Sequence, residues 1–180
     1  MIMITTSRRP TRRVRSFVND LARSIPDSVR VNRGKLSLLG VAQKATELGA
    51  DRVIVVDRWK GGPGKMELFH VGGRGLRHHP PLVYIAGVRL QRECGVRAKP
   101  ARELTVMVEE EEVGDEVKRL ADALSQFLEA PRVYDLEEAR GRLMLLTKDP
   151  QRFARITFLD TPELREVGPV IRVRHLVWNP

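Results

Sequence analysis

Residues 5–28 read TTSRRPTRRVRSFVNDLARSIPDS, and five of the eight residues from Arg8 to Arg15 are arginine: Arg8, Arg9, Arg12, Arg13 and Arg15. A guanidinium presents planar paired donors that match a phosphate. The first backbone N–H groups of a helix also bind anions. Thr5, Thr6, Ser7 and Thr11 add hydroxyl donors. Cations at a helix start are disfavoured by the macrodipole. The crowding therefore needs either water or a bound polyanion to be tolerable. Arg33-Gly34-Lys35 reads as a second basic turn before a helix, equally open to phosphate contact or to an ordinary glycine turn. Lys60 and Lys65 flank GGPG, and Arg74 and Arg77 lie in a glycine-rich stretch, so each is either an extension of a basic footprint or a plain turn. The opposing reading of the arginine run is a solvated helix face, with Asp20 and Asp27 as partial counter-charges.

Other chemistries fit less well. A nucleotide-binding GxxxxGK[ST] loop ending at Gly64-Lys65 would need glycine at 59 and Ser or Thr at 66; the chain has Trp59 and Met66. His78 and His79 are adjacent, so in a strand they point apart, and no third ligand is near in sequence. Cys94 is the single cysteine and has no histidine nearby in sequence, so neither a disulfide nor a cysteine-based zinc site is expected. Glu109–Glu112 reads as a solvated strand-to-helix connection. No catalytic constellation, metal site or cofactor is expected, and the chain is read as a non-enzyme. Aromatic residues make up only 5% of the chain, which points to recognition through phosphates and RNA shape more than through base stacking.

The bulk charge supports a polyanion partner. The formal net charge is +9, and it is distributed as +7 over residues 1–35, +6 over 36–100 and −4 over 101–180. A device for general solubility would spread both signs, whereas a located anion-binding surface would not. With 42% hydrophobic and 31% charged residues the chain is expected to fold around a core. The apolar start is four residues long and precedes the basic cluster, which is the reverse of a signal peptide. A cytoplasmic location is expected.

The elements that must position these residues follow from periodicity. Ile2–Ile4 reads as a strand. Val14, Phe17, Val18, Leu21 and Ile25 recur on one helical face, with Pro10 in the first turn and Pro26 ending the helix. A short strand at Ser28–Asn32 and a helix capped by Ser37 and stopped by Gly49 come next. Strands are expected at Arg52–Trp59, Lys65–Val71 and Leu82–Leu90, separated by a turn at Gly61–Gly64 and a loop over residues 72–81. The pattern then starts again: a strand at Glu103–Glu109, a helix from Asp115 carrying Val117, Leu120, Ala121, Leu124 and Phe127, Pro131, and strands at Arg132–Tyr134, Leu143–Thr147, Phe153–Leu159 and Val170–Trp178. We read this as an α/β chain of mixed sheets made of two similar halves from an internal duplication: residues 1–91 with the basic helix, a linker at 92–102, and a more acidic half at 103–180. The two long helices then differ in sign at their starts. The second is preceded by EEEE and opens Asp115-Glu116, as a helix dipole prefers, while the first opens on arginines.

TTSRRPTRRVRSFVNDLARSIPDS, NRGKLSL, DRVIVVDRWKGGPGKMELFHV and PPLVYIAGVRL together resemble the Brix family of ribosome-biogenesis proteins. The first stretch is similar to the family's Thr-Ser-Arg-x-Pro-Ser/Thr-x-Arg motif, itself likened to a nucleic-acid-binding segment of bacterial sigma factors. The match is good over the first half; the second half matches mainly by pattern and by GPVIRVRHLVW as a closing strand. The resemblance implies two α/β halves, each similar to the anticodon-binding domain of class IIa aminoacyl-tRNA synthetases. It implies binding of rRNA or pre-rRNA during subunit assembly, no catalysis, and other ribosome-assembly proteins as further partners. Ser7, Arg8, Pro10, Arg12, Arg13, Phe17 and Leu21 match motif positions, with Phe17 and Leu21 as core. Asn19 departs from the family, many of whose members carry a basic residue there, and lysine-rich tails are absent, as in the bare domain of archaeal members.

The expected RNA-binding residues are Ser7, Arg8, Arg9, Arg12, Arg13, Arg15, Arg33 and Lys35. Two other readings stay open on sequence: a tRNA anticodon-type binding module, and a protein–protein assembly module whose basic face meets an acidic partner.

Overall fold

The β-branched run at Val53–Val56 and the apolar Ile2–Ile4 have no polar alternation, and both become interior strands of a sheet covered on two sides. The computed structural model describes residues 1–109, 111 and 113–180, so Glu110 and Glu112 of the acidic run lie outside the described residues. The strands are β1 (Ile2–Thr6), β2 (Ser28–Arg30), β3 (Arg52–Trp59), β4 (Gly62–Gly72), β5 (Gly75–Arg89), β6 (Leu104–Val108), β7 (Arg142–Thr147), β8 (Ala154–Asp160) and β9 (Arg165–Val177). Among the described residues they form one nine-stranded sheet in the order β2-β1-β3-β4-β5-β9-β8-β7-β6. β1 pairs in parallel with β2 and β3, and β6 with β7; the other pairs are antiparallel. The chain is thus a mixed α/β fold with a large mixed sheet and, among the described residues, three α-helices: α1 (Arg12–Ser24), α2 (Leu38–Glu47) and α3 (Asp115–Leu128).

α1 and α3 share one face of the sheet. Phe17, Val18 and Leu21 from α1 and Leu120, Leu124 and Phe127 from α3 enter the same cluster as Ile4, Ile54, Ile85, Phe158 and Ile171. α2 covers the other face over Met3, Val53, Val55 and Phe69. Each of the two long helices ends against an arginine from the far side of the molecule. Arg52, at the start of β3, donates from Nη1 to the Phe127 carbonyl in the last turn of α3 (2.6 Å). Arg142, at the start of β7, donates to the Arg23 carbonyl (3.4 Å) and Ser24 Oγ (3.2 Å) in the last turn of α1. A cation suits a helix C-terminus, and both side chains are buried there.

Several expected boundaries move. Thr11, not a residue within the first turn, caps α1: its Oγ1 accepts from Val14 N (3.2 Å), and Pro10 stands just outside. The turn expected over Gly61–Gly64 tightens to Lys60-Gly61, because Gly62 already pairs with Trp59. The loop expected over residues 72–81 is mostly strand: the chain reverses at Gly73-Arg74, and β5 starts at Gly75 with φ +112°. Antiparallel pairing to β4 overrides the turn-like composition, and Pro80 and Pro81 fall where that ladder slips. The strand expected at Arg132–Tyr134 reduces to one parallel bridge between Val106 and Arg132. Within the stretch read as a linker, Arg92, Glu93 and Cys94 belong to a 3-10 turn over Gln91–Cys94, and Gln91 is buried against Ser24 and the Gly168 carbonyl.

Candidate nucleic-acid interface

β1, β2, β3 and β5 all end at one rim of the sheet, since β1–β3 are mutually parallel and β5 runs the same way through two antiparallel steps. The arginine run begins at this rim. From Thr6 the chain turns through Ser7–Pro10, with Arg9 in the left-handed region at φ 57°, and enters α1. The turn is tied down by its own polar groups. Ser7 N donates to the Val56 carbonyl (2.9 Å), Ser7 Oγ to Asp57 Oδ1 (2.7 Å), and Thr11 Oγ1 to the Gly61 carbonyl (2.9 Å). Thr5 Oγ1 donates to the Val31 carbonyl (2.7 Å), which fixes β1 to the segment after β2. As placed, the Ser7 hydroxyl holds the loop and gives its proton to Asp57, not to a ligand.

The expected cations separate into three groups. Arg8, Arg9, Arg12 and Lys35 are exposed, and among the described residues no carboxylate lies within ion-pair distance of them. The one hydrogen bond in this group runs from Arg8 Nε to the Leu36 carbonyl at 3.4 Å. Arg15 is also exposed and donates to the Pro10 carbonyl (3.1 Å), which steadies the guanidinium without neutralising it. Arg13 leaves the cluster: its Nη2 meets Glu93 Oε1 at 2.8 Å and the Val88 carbonyl at 2.7 Å. Arg33 is buried, with Nε on the Leu36 carbonyl (2.7 Å) and Nη1 on the Thr6 carbonyl (3.0 Å), so it buttresses the turn from beneath. Burial, and then the neighbouring Arg8 charge, hold the Arg33 guanidinium below its ordinary pKa, with Asp57 acting the other way.

Arg9, Arg15, Arg30 and Arg33 line a groove of about 420 Å³ floored by Pro10, Asn32 and Gly34, with no carboxylate on its walls. Arg30 is the member that the sequence did not single out. It lies in a strand of alternating residues, and the parallel pairing of Ile4 with Arg30 is what carries it to this rim. Lys60 comes to the same rim through the β3–β4 turn, whereas Lys65 is ion-paired with Glu67 (2.8 Å). Arg74 and Arg77 lie at the opposite end of the sheet, beside the start of β3, and do not extend this surface.

The start of α3 is built differently. Asp115 and Glu116 occupy its first turn, Glu116 Oε1 accepts from Trp178 Nε1 (3.3 Å), and the Arg119 guanidinium lies 3.8 Å over the Trp178 ring. Glu116 and Arg119 both find a partner in Trp178.

Among the described residues no cluster of three or more His, Cys, Asp or Glu is placed to hold a metal. His70 and His79 do meet: a carbonyl can only accept, so His79 Nε2 donates to Ala123 (3.1 Å) and its Nδ1 accepts from His70 Nε2 (3.0 Å). No helix among the described residues is long and apolar enough to cross a membrane.

No protein-family model matches the chain. A probable Brix domain-containing ribosomal biogenesis protein of Methanopyrus kandleri is 32% identical over 184 residues, covering 95% of this chain and 92% of the relative. Its counterpart from Pyrococcus horikoshii is 41% identical over 110 residues, which cover 57% of this chain. The match spans about half of that relative's length, at 46%. The crystal structure of a probable ribosomal biogenesis protein from Aeropyrum pernix superimposes with a TM-score of 0.80 at 30% identity, covering 96% of this chain and 94% of the other. Mil, an archaeal Imp4-like protein, shares the fold with a TM-score of 0.71 at 21% identity. By its match along nearly the whole length of the Methanopyrus relative, this chain belongs to the family of Brix domain-containing ribosomal biogenesis proteins.

Proposed function

We propose that the chain is an RNA-binding ribosome-biogenesis factor that engages rRNA or pre-rRNA through the rim where α1 begins and acts as a non-enzymatic, cytoplasmic assembly protein. One observation carries this reading: Arg8, Arg9, Arg12 and Arg15, with Arg30 and Lys35 from neighbouring segments, stand together on one rim with no carboxylate partner among the described residues. Crowded cations are stable on a surface that a polyanion occupies. Ser7 and Arg33 serve in this reading as positioning residues, and Arg13 as a contact shared with Glu93.

The two-half organisation belongs to the same proposal. Residues 1–91 and 103–180 derive from one duplicated α/β unit, each half similar to a class IIa anticodon-binding domain, with 92–102 as the connection. The strand order β2-β1-β3-β4-β5 followed by β9-β8-β7-β6 supports it, as does the reciprocal placement of Arg52 and Arg142 on the opposing helix ends. The test is in-cell crosslinking of the tagged protein followed by sequencing of the attached RNA. Fragments of rRNA precursors joined to peptides within residues 8–35 are the expected result. Enrichment of tRNA, or capture of proteins without RNA, would replace this reading by one of the alternatives.

A further inference from the structure

On the other side of the α1 start, opposite the Arg30 groove, lies a second groove of about 560 Å³. Arg13, Trp59, Lys60, Gly87, Arg152 and Arg174 line it, and no carboxylate does. Trp59 is 56% exposed at the tip of the β3–β4 hairpin. A tryptophan on a solvent-facing turn is costly to leave wet unless something covers its ring. A Cβ at Gly64 would collide with the Cβ and backbone of residue 59, so glycine there is what lets the two strands approach closely beneath Trp59. The Lys60 ammonium lies 5.8 Å from the ring centroid, and Arg174 sits over the Tyr84 ring at 5.6 Å. Two of the cations come from the half that is acidic by sequence, and antiparallel pairing of β5 with β9 delivers Arg174 to this place.

Bare cations would suit any phosphate, duplex or single-stranded. An exposed indole beside them suits a nucleotide whose base is out of the stack, because every base has a π-face and a duplex hides it. The geometry points to a single-stranded RNA subsite, in which one unpaired base stacks on Trp59 while its flanking phosphates meet Lys60, Arg152 and Arg174; Arg13, paired with Glu93, forms part of the wall. This inference rests on the RNA-binding reading above and names the form of RNA that the surface takes: a loop, bulge or end running off the Arg9–Arg15 rim.

The test uses the full chain carrying Trp178→Phe, so that Trp59 is the sole indole. It is titrated with an RNA octamer of uridines and with an RNA duplex, at low salt. The expected result is quenching of Trp59 fluorescence by the single strand and little change with the duplex. In the parent, Trp59→Ala should weaken single-strand affinity about 5- to 150-fold and leave duplex affinity within about twofold, given a stacking contribution of about 1–3 kcal/mol per base. Trp59→Phe should keep part of that affinity. Duplex binding with no quenching by the single strand, or an equal loss of both ligands in Trp59→Ala, would overturn the subsite and leave the rim reading standing. Failure of both RNAs to bind at low salt would overturn both. The quenching arm keeps the native hairpin, so it decides the matter even if Trp59→Ala does not fold.

Discussion

The two halves of the molecule use the same parts to opposite ends. α1 and α3 pack on one face of one sheet, each ending against a buried arginine from the other half. Yet α1 begins on Arg12 and Arg13 where α3 begins on Asp115 and Glu116. The hairpins differ as well. Trp59 and Asp149 stand equally far along the chain from Arg52 and Arg142. Trp59 faces solvent, while the Asp149 side chain is wholly buried, accepting from Arg172 Nε (3.0 Å) and Arg155 Nε (3.3 Å) and from the backbone of Gln151 and Arg152. Both regions place a long helix on the same face of one sheet. At these two places they differ: Asp149 is satisfied internally, whereas Arg12 and Trp59 face outward. An outward, uncompensated group on a rigid frame is what a ligand requires.

Removing the shared clasp should produce the largest effect. Arg142 also donates to Asp160 Oδ1 (2.7 Å) and the Lys99 carbonyl (2.9 Å). Arg142→Ala removes a buried guanidinium that ties the end of α1 to Asp160 and the Lys99 carbonyl and leaves the buried Ser24 hydroxyl short of a donor, and should cost about 3 kcal/mol in urea unfolding. Arg52→Ala should follow the same direction. If either is neutral, the clasp is not part of the common scaffold.

Asp149→Asn should come next, at about 2 kcal/mol, because it takes a buried charged acceptor away from two backbone donors and from the part-exposed Arg172 and Arg155. Hydrogen bonds from Arg172 hold the Asp149 carboxyl below its ordinary pKa of 3.8. The stabilisation is therefore complete above that value and is lost as pH falls below it. An acid titration of stability should lose this limb in Asp149→Asn.

A smaller, pH-dependent difference separates the two clasps. Arg52 pairs in register with His70, and Arg142 with Asp160. Burial, then the charges of His79, Arg77 and Arg52, lower the His70 pKa from 6.5. With the folded value depressed, stability is full above pH 6.5 and declines as pH falls below it, where the unfolded chain takes up the proton first. Among groups facing this site, Asp51 acts the other way and is the weakest of the named influences. His70→Gln should flatten the profile between pH 6.5 and 5, read as the urea midpoint.

The smallest change in stability should come from writing the second half's sign into the first. Arg12→Asp places an acid at the first helical position and should stabilise by about 0.3–1 kcal/mol. The same change should lower RNA affinity at low salt about tenfold. A gain in stability with unchanged affinity would break the link between the basic helix start and its ligand.

Much of the scaffold was legible in the sequence. The α1 stripe of Val14, Phe17, Val18 and Leu21 is buried as its period requires, and Ser37 caps α2, its Oγ accepting from Gly40 N at 3.0 Å. The same periodicity leaves Arg12 outside the buried stripe, whereas Arg8 and Arg9 precede the helix and their exposure is set by the turn that enters it. Burial of a single charged residue is not periodic, so nothing in Arg33-Gly34-Lys35 revealed that Arg33 turns inward to the Thr6 carbonyl while Lys35 stays out. Strand pairing is likewise non-local. Only the register of β1 with β2 shows Arg30 joining Arg9 and Arg15, and only the β5–β9 seam carries Arg174 from the acidic half to Trp59. The glycine-rich composition of residues 72–81 suggested a loop because the partner strand that makes it a hairpin cannot be read locally.

The central claim, a vacant positive rim that RNA neutralises, is tested most directly by the salt dependence of RNA affinity in the parent and in the Arg9→Ala, Arg12→Ala, Arg15→Ala triple variant. With about four to six phosphates engaged, log K should fall against log salt with a slope of about −3 to −4 in the parent. In the variant the slope should shrink by about 2, with thermal stability nearly unchanged, since none of the three side chains is buried. An identical slope in both proteins, with both folded, would contradict the account.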